Sequence, residues 1–309
     1  MKKELIEYYN GGNQRDDNFY MNKAETLLEA LPYIKGYFNK IVVVKLGGAI
    51  MEDDEKLRDV LDDLILMKYV GIKVVIIHGG GKQITRLMEE RKISVEFCDG
   101  LRITGKETID VVKMVLLGEI NSKIVSLLNK HGQIAVGLSG NDANFINCEK
   151  KRYFKDGKEI DLGYVGEITN INSLFLTNIL KDDYLPVIAT LGSDRQGNIY
   201  NINADTCANK IASELKAKKM ILLTDVDGIK TEKNGKEKFI SKISDFSCLK
   251  LIESSEITKG MIPKVKACID ALENGVERTY ILNGNLKHSI IIEIFTDKGI
   301  GTMIVSGGD

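Results

Sequence analysis

Three hundred and nine residues, 43% hydrophobic and 28% charged, suffice for one large core or two modest ones, which excludes a disordered chain and a disulfide-stapled miniprotein. Forty-three Lys and Arg balance forty-four Asp and Glu, and the formal charge of −1 supplies no overall attraction to nucleic acid or to an anionic membrane. The longest apolar runs, such as Lys73–His78 and Ser289–Glu293, are strand-sized and fall short of the roughly 20 residues of a membrane helix, while Met1–Asp17 lacks a signal-peptide core, so cytoplasmic residence is the default expectation.

After a polar leader, Asn22 and Glu25 read as an N-cap and its third-residue partner, with Ala24, Leu27, Leu28, Leu31 and Ile34 following at helical spacing past Pro32. This predicts an amphipathic helix in an extension over residues 1–38, packed on its own domain or paired with another subunit. From residue 41 a regular alternation sets in. Strands are expected at Ile41–Leu46, Lys73–His78, Gln133–Leu138, Pro186–Leu191, Lys219–Thr224, Thr279–Asn283, Ile290–Phe295 and Thr302–Val305. Between them fall helices at Glu55–Tyr69, Lys82–Arg91, Lys106–Lys130, Ser173–Lys181, Ala204–Ala217 and Pro263–Asn274. Strand runs that are apolar throughout belong to a sheet covered on both faces, so the expected class is α/β, a three-layer α/β/α sandwich around a mainly parallel open sheet of about eight strands. Phe145–Ile168 breaks the rhythm and reads as a projecting β-hairpin around Asp156-Gly157, and Asn234-Gly235 marks a second such turn. With only three prolines and no linker, residues 39–309 are expected to form two lobes on one continuous sheet, about 39–195 and 196–309.

Cysteines 98, 148, 207, 248 and 268 are scattered and include no C-x-x-C pair, and His78, His131 and His288 include no H-E-x-x-H spacing, so disulfide, zinc and haem chemistry are not indicated. The cysteines read as reduced, mostly buried thiols.

In an open α/β sheet ligands bind where strands end, so the strand-to-helix turns carry the functional signal. Lys45 stands beside Gly47-Gly48, and His78 precedes Gly79-Gly80-Gly81 at the opening of a helix. Glycine amides at a helix start suit a phosphate or carboxylate, although a sharp turn alone also needs glycine. Gly100–Glu107 resembles a P-loop but puts Glu107 where a hydroxyl must bind magnesium, and it is rejected; it still offers Arg102, whose planar fork grips carboxylates. Tyr200-Asn-Ile-Asn-Ala-Asp205 opens a helix with more polar groups than capping uses. Leu223–Gly228 closes a strand with Thr224, Asp225 and Asp227. In Lys259–Lys264, Pro263 at the first helical position leaves Lys264 at the wrong pole of a helix dipole, an arrangement that a bound anion would explain.

Taken together and in order, Lys45–Gly48, His78–Gly81, Gly100–Thr104, Leu162–Gly166, Tyr200–Asp205, Gly260–Lys264 and His288–Gly301 make the chain from about residue 22 onward resemble the amino acid kinase family, in its branch acting on N-acetyl-L-glutamate. The resemblance implies ATP-dependent phosphorylation of the side-chain carboxylate of N-acetyl-L-glutamate, a step of arginine biosynthesis, with Mg2+ carried by the nucleotide. It assigns Lys45 and Lys264 to opposite sides of the transferring phosphoryl group, with Asp205 orienting both. It places Gly47, Gly48 and Gly80 along the phosphoryl path, Gly80, Gly81, Arg102 and Asn201 on the substrate, and Gly47, Gly48, Asp225, Gly228 and Gly260 on ATP. It further implies that members opening with such a helix are hexamers, trimers of dimers inhibited by L-arginine at His288, Glu293 and Gly301. Lys259 departs from the family's glycine before Gly260. Two rival readings stay open: a sister kinase for carbamate, aspartate, glutamate or a nucleoside monophosphate, and an inactive relative serving as a sensor. The G-L-R context of Arg102 favours N-acetylglutamate over the first, and the presence of both lysines and Asp205 speaks against the second.

Overall fold

The computed structural model describes residues 17–233, 236–258 and 260–307. Most of the 1–38 extension's leader, the Asn234-Gly235 turn and Lys259 lie outside the described residues. Eight strands form the central sheet: β1 Ile41–Leu46, β2 Lys73–His78, β3 Ala135–Ser139, β4 Leu185–Ala189, β5 Lys219–Thr224, β6 Lys242–Ser244, β7 Arg278–Asn283 and β8 Thr302–Val305. Their order is β6-β8-β7-β5-β1-β2-β4-β3, with six strands parallel and β6 and β8 reversed at one edge.

The β-branched run of β1 explains its central place. Val42 and Val44 bury against one apolar cluster and Val43 against the other, so both faces of the strand are covered by helices. On the first face lie α1 Asp17–Tyr37, α2 Gly48–Glu52, α3 Asp54–Tyr69, α4 Gly81–Glu90, α5 Lys106–Lys113, a π-helical stretch Met114–Asn121 and α6 Ser122–Leu128. The second face carries α7 Ser173–Lys181, α8 Ala204–Glu214, α9 Asp245–Glu253 and α10 Ile262–Glu273, while α11 Ser289–Phe295 joins the first face. The α/β expectation and the eight-stranded sheet are thereby met. The Phe145–Ile168 projection is a pair of nested antiparallel ribbons, Ile146–Lys150 with Gly166–Ile171 and Tyr153–Lys155 with Lys158–Ile160.

Three local expectations fail. Ile290–Phe295 is helical, because a short apolar run has the same appearance in a buried strand and a buried helix; Ile290 and Ile294, four apart, face the core together. The eighth strand is instead Lys242–Ser244, too short and polar to announce itself. Asn22 is not a helix cap, since α1 is already helical from Asp17 and the Asn22 carbonyl accepts from Thr26 Oγ1 at 2.8 Å. Helix α1 packs on the core through Ala30, Tyr33, Ile34 and Tyr37 and leaves Leu27, Leu28 and Leu31 at 74%, 67% and 54% exposure.

Candidate active site

Parallel pairing fixes the site. Register places Lys45 beside Ile77 of β2 and Leu222 of β5, so the turns after these three strands open at one sheet end. The chain leaves β1 toward β2 on one side and meets β5 on the other, the divergence of connections at which open α/β sheets bind ligands. A cleft of about 580 Å³ lies there, walled by Lys45, Gly48, Gly79, Gly80, Gly81, Arg102 and Asn201 among others.

Asp205 joins Lys45 to Lys264. Asn203 caps α8, its side chain accepting from the amides of Asp205 and Thr206 at 3.0 Å each, so the polar turn does contain one plain capping residue. Asp205 is thereby left to other partners. Lys45 Nζ lies 2.9 Å from its Oδ1 and Lys264 Nζ 3.4 Å from its Oδ2. The Lys45 contact is an ion pair by distance, while Oδ1 lacks a well-directed hydrogen bond. Burial alone would raise the Asp205 carboxyl, but the two ammoniums outweigh it and hold the group below the usual carboxylate range. It stays anionic and splays two cations across its two oxygens. Lys264 enters from the first turn of α10, whose Pro263 opens a helix without a side-chain cap.

The glycines divide by their surroundings. A side chain at Gly47 would meet the Leu223 carbonyl oxygen at 2.5 Å, so β1 and β5 can converge only around glycine. At Gly48 and Gly81 nothing lies within 4 Å, leaving open space for a ligand to approach the backbone. Gly80 is backed by Ile120 and Leu116. Arg102 is buried, with Nη2 donating to Gly81 O at 2.8 Å and Thr85 Oγ1 at 2.7 Å and its guanidinium 4.6 Å from the Phe97 ring centre. Asn201 reaches Thr104 Oγ1 at 3.4 Å. Lys45, Gly48, Gly80, Gly81, Arg102 and Asn201 thus wall one cleft, and Lys45 links it to Asp205 and through Asp205 to Lys264.

Asp225, Gly228 and Gly260 do not line this cleft. Gly228, at φ +146, packs against Thr302, and the adjoining Asp227 and Lys230 border a second hollow of about 440 Å³ with Phe239 and Ile300. Asp227 accepts from Asn283 Nδ2 at 2.8 Å, and Asp225 from Thr224 Oγ1 at 3.1 Å.

A separate grouping gathers part of the last motif. Glu293 Oε2 accepts from the amide of Ile300 at 3.1 Å, and Gly301 is pressed against Ile281 O and Leu282, with no room for a side chain. Burial raises the Glu293 carboxyl despite the Ile300 amide and Lys219. Lys219, not singled out in the sequence, stands 4.9 Å and 4.3 Å from the ring centres of Tyr37 and Tyr280, and burial pushes it down to about 8. His288 is in the left-handed region at φ 56, and its Nδ1 lies 2.7 Å from Asp63 Oδ1 on α3. The place of Lys219 at the start of an apolar strand run was its only sequence signal.

The Amino acid kinase family model matches residues 40–283. The chain belongs to the amino acid kinase family. An acetylglutamate kinase of Caldicellulosiruptor bescii is 47% identical to it over 284 residues, covering 92% of this chain and 97% of that protein. An acetylglutamate kinase of a Hydrogenobaculum species is 49% identical over 290 residues, covering 92% and 98%. Among solved structures, N-acetylglutamate synthase from Neisseria gonorrhoeae complexed with coenzyme A and N-acetylglutamate superposes with a TM-score of 0.82 at 26% identity; the match covers 93% of this chain and 64% of the synthase chain. This family member is a kinase, and none of its described helices is long and apolar enough to cross a membrane.

Proposed function

We propose that the protein transfers the γ-phosphoryl group of ATP to the side-chain carboxylate of N-acetyl-L-glutamate, as a step of arginine biosynthesis in the cytoplasm. A carboxylate is ionised near pH 7, so the nucleophile needs no base. One carboxylate oxygen forms the new bond to the γ-phosphorus while the bond from that phosphorus to the β,γ-bridging oxygen breaks, and ADP leaves with the electron pair. The requirement is then charge neutralisation around the phosphoryl oxygens and in-line placement. Lys45 and Lys264, held apart on the two oxygens of Asp205, are suited to the first; this arrangement carries the reading. The open backbone at Gly48 and Gly81 leaves a path for phosphate, and Arg102 and Asn201 on the cleft wall suit the substrate's α-carboxylate and amide. We place the nucleotide toward Asp225, Gly228 and Gly260. Mg2+ would arrive with the phosphates: among the described residues no group of three or more His, Cys, Asp or Glu stands ready to hold a metal, and no step is routed through one.

An ADP-release assay across N-acetylglutamate, glutamate, aspartate, carbamate and UMP tests the substrate. N-acetylglutamate should be turned over fastest; equal or faster release with another acceptor overturns the assignment.

We also propose feedback inhibition by L-arginine in a homohexamer built as a trimer of dimers. Glu293 for a guanidinium and Lys219 for a carboxylate, beside the tight Gly301 turn, support the first. The uncovered Leu27, Leu28 and Leu31 of α1 support the second, as a seam for the same helix of another subunit.

A further inference from the structure

His78 ends β2 directly before Gly79-Gly80-Gly81 and is fully buried, yet the transfer has no use for a base. Its partners show another use. Asn121 Nδ2 lies 2.9 Å from Val187 O of β4 and 3.0 Å from His78 Nε2. A carbonyl oxygen only accepts, so the amide's NH2 end must face it, and the same NH2 then donates to Nε2. The ring hydrogen therefore sits on Nδ1, which lies 3.1 Å from the Gly79 carbonyl oxygen and donates to it. Burial pushes His78 down to about 4, which keeps the ring neutral near pH 7.

The consequence reaches the cleft through a single peptide plane. In a trans peptide the carbonyl and the following N–H point to opposite sides. Fixing Gly79 O on a core histidine therefore turns the Gly80 N–H away from the core, toward the cleft that Gly79, Gly80 and Gly81 wall. That N–H has no backbone acceptor among the described residues.

The donor that steers the ring comes from an unusual place. Met114–Asn121 is π-helical, a winding that is rare and frequent at functional sites. The same segment backs Gly80: a side chain there would come within 2.5 Å of Ile120 and 2.8 Å of Leu116. Asn121, its last residue, is buried and fills the space beside Gly137. One stretch of helix thus supports the glycine turn from behind and orients the histidine that aims its amide.

We propose that His78, steered by Asn121 at the end of the π-helical segment, is a positioning residue for the transfer that aims the Gly80 N–H at the migrating phosphoryl group. The proposal rests on the kinase reading above.

Two substitutions separate aiming from filling. In His78→Asn the side-chain NH2 can replace Nδ1–H toward Gly79 O; in His78→Gln the amide reaches toward Asn121 and leaves Gly79 O unbound. His78→Gln should lower kcat by about 10- to 100-fold with KM for both substrates changed by less than about 3-fold, and His78→Asn should recover most of that loss. Equal losses in the two variants, or losses falling on KM, would overturn the proposal while leaving an active wild type to support the kinase reading. Wild-type protein without N-acetylglutamate-dependent ADP release would remove both. Should either variant fail to fold, nitrogen NMR of the wild type labelled at histidine decides: the Nδ1–H tautomer at His78, unchanged from pH 6 to 8, is expected, and the Nε2–H tautomer would overturn the proposal.

Discussion

Lys45 stands near the carboxyl end of β1 and Lys219 at the amino end of its neighbour β5, so two buried ammoniums lie toward opposite ends of adjacent strands, each near a carboxylate. Their electrostatic states differ. Around Lys45 the charged forms are favoured, since Asp205 pairs with two cations and its carboxyl sits below the ordinary range, which leaves one surplus positive charge. Around Lys219 they are not: the lysine is pushed down to about 8 and the Glu293 carboxyl is pushed up, both by burial. The first grouping is ready for a ligand that brings negative charge. In the second, Lys219 and Glu293 attract each other too weakly to offset burial, and a ligand bearing a carboxylate and a guanidinium would add to the attraction on both.

The largest expected effect breaks the grouping on Asp205. Lys264→Met should lower kcat by about 10²-fold or more, with a smaller change in KM, because it removes a cation that acts on charge developing in transfer. Steady-state kinetics check this, and near-normal kcat would refute the assigned role.

Next comes the desolvated lysine. Its folded value, about 8, lies below the ordinary 10.5, so between these pH values the unfolded chain binds the extra proton and stability rises with pH. Relative to Lys219→Met, the wild type should therefore gain up to about 3 kcal/mol from pH 8 to 10.5, read from denaturant unfolding at fixed ionic strength. A flat difference across that window would show that Lys219 is not destabilised by burial. The same variant, and Glu293→Gln, should lose arginine inhibition while retaining kcat.

Arg102→Ala sharpens the contrast from the substrate side. It should raise KM for the amino acid by about 10-fold and leave kcat less affected, as expected for loss of a charge-assisted carboxylate contact.

The smallest effect on the monomer belongs to α1. Changing Leu27, Leu28 and Leu31 to Ser should alter the stability of the subunit by less than about 0.5 kcal/mol per site, since these side chains touch little. Sedimentation should nevertheless show the assembly fall to dimers with activity intact. An unchanged oligomer would exclude α1 as the seam.

Most of the sheet was legible because its strands are covered on both faces, and runs such as Ile41–Leu46 and Lys219–Thr224 have no other comfortable place. The exceptions share a cause. Ile290–Phe295 is an apolar run without a period long enough to separate helix from strand, and Lys242–Ser244 joins the sheet by pairing with β8, a long-range event its own residues do not encode. The site followed the same rule. Lys264 was visible because a cation in a helix's first turn is locally unfavourable unless something binds, Lys45 because it stands beside a glycine turn, and Asp205 because its turn holds more polar groups than capping uses. Their convergence on one carboxylate came from topology. Lys219 looked like an ordinary strand-start lysine until Tyr37 and Tyr280 closed over it, and the π-helical winding of Met114–Asn121 has no sequence period of its own.

Glycine is usually associated with looseness, but at Gly47 and Gly80 it serves the opposite end. At Gly47 a carbonyl of β5 stands in the space a side chain would take, and behind Gly80 lie the ends of the Ile120 and Leu116 side chains of the π-helical segment. The two turns are therefore clamped by the core behind them while their open neighbours, Gly48 and Gly81, face the cleft. Their conformational entropy is surrendered when the chain folds, so an incoming phosphate meets amides already ordered, and little of its binding energy is diverted to arranging them.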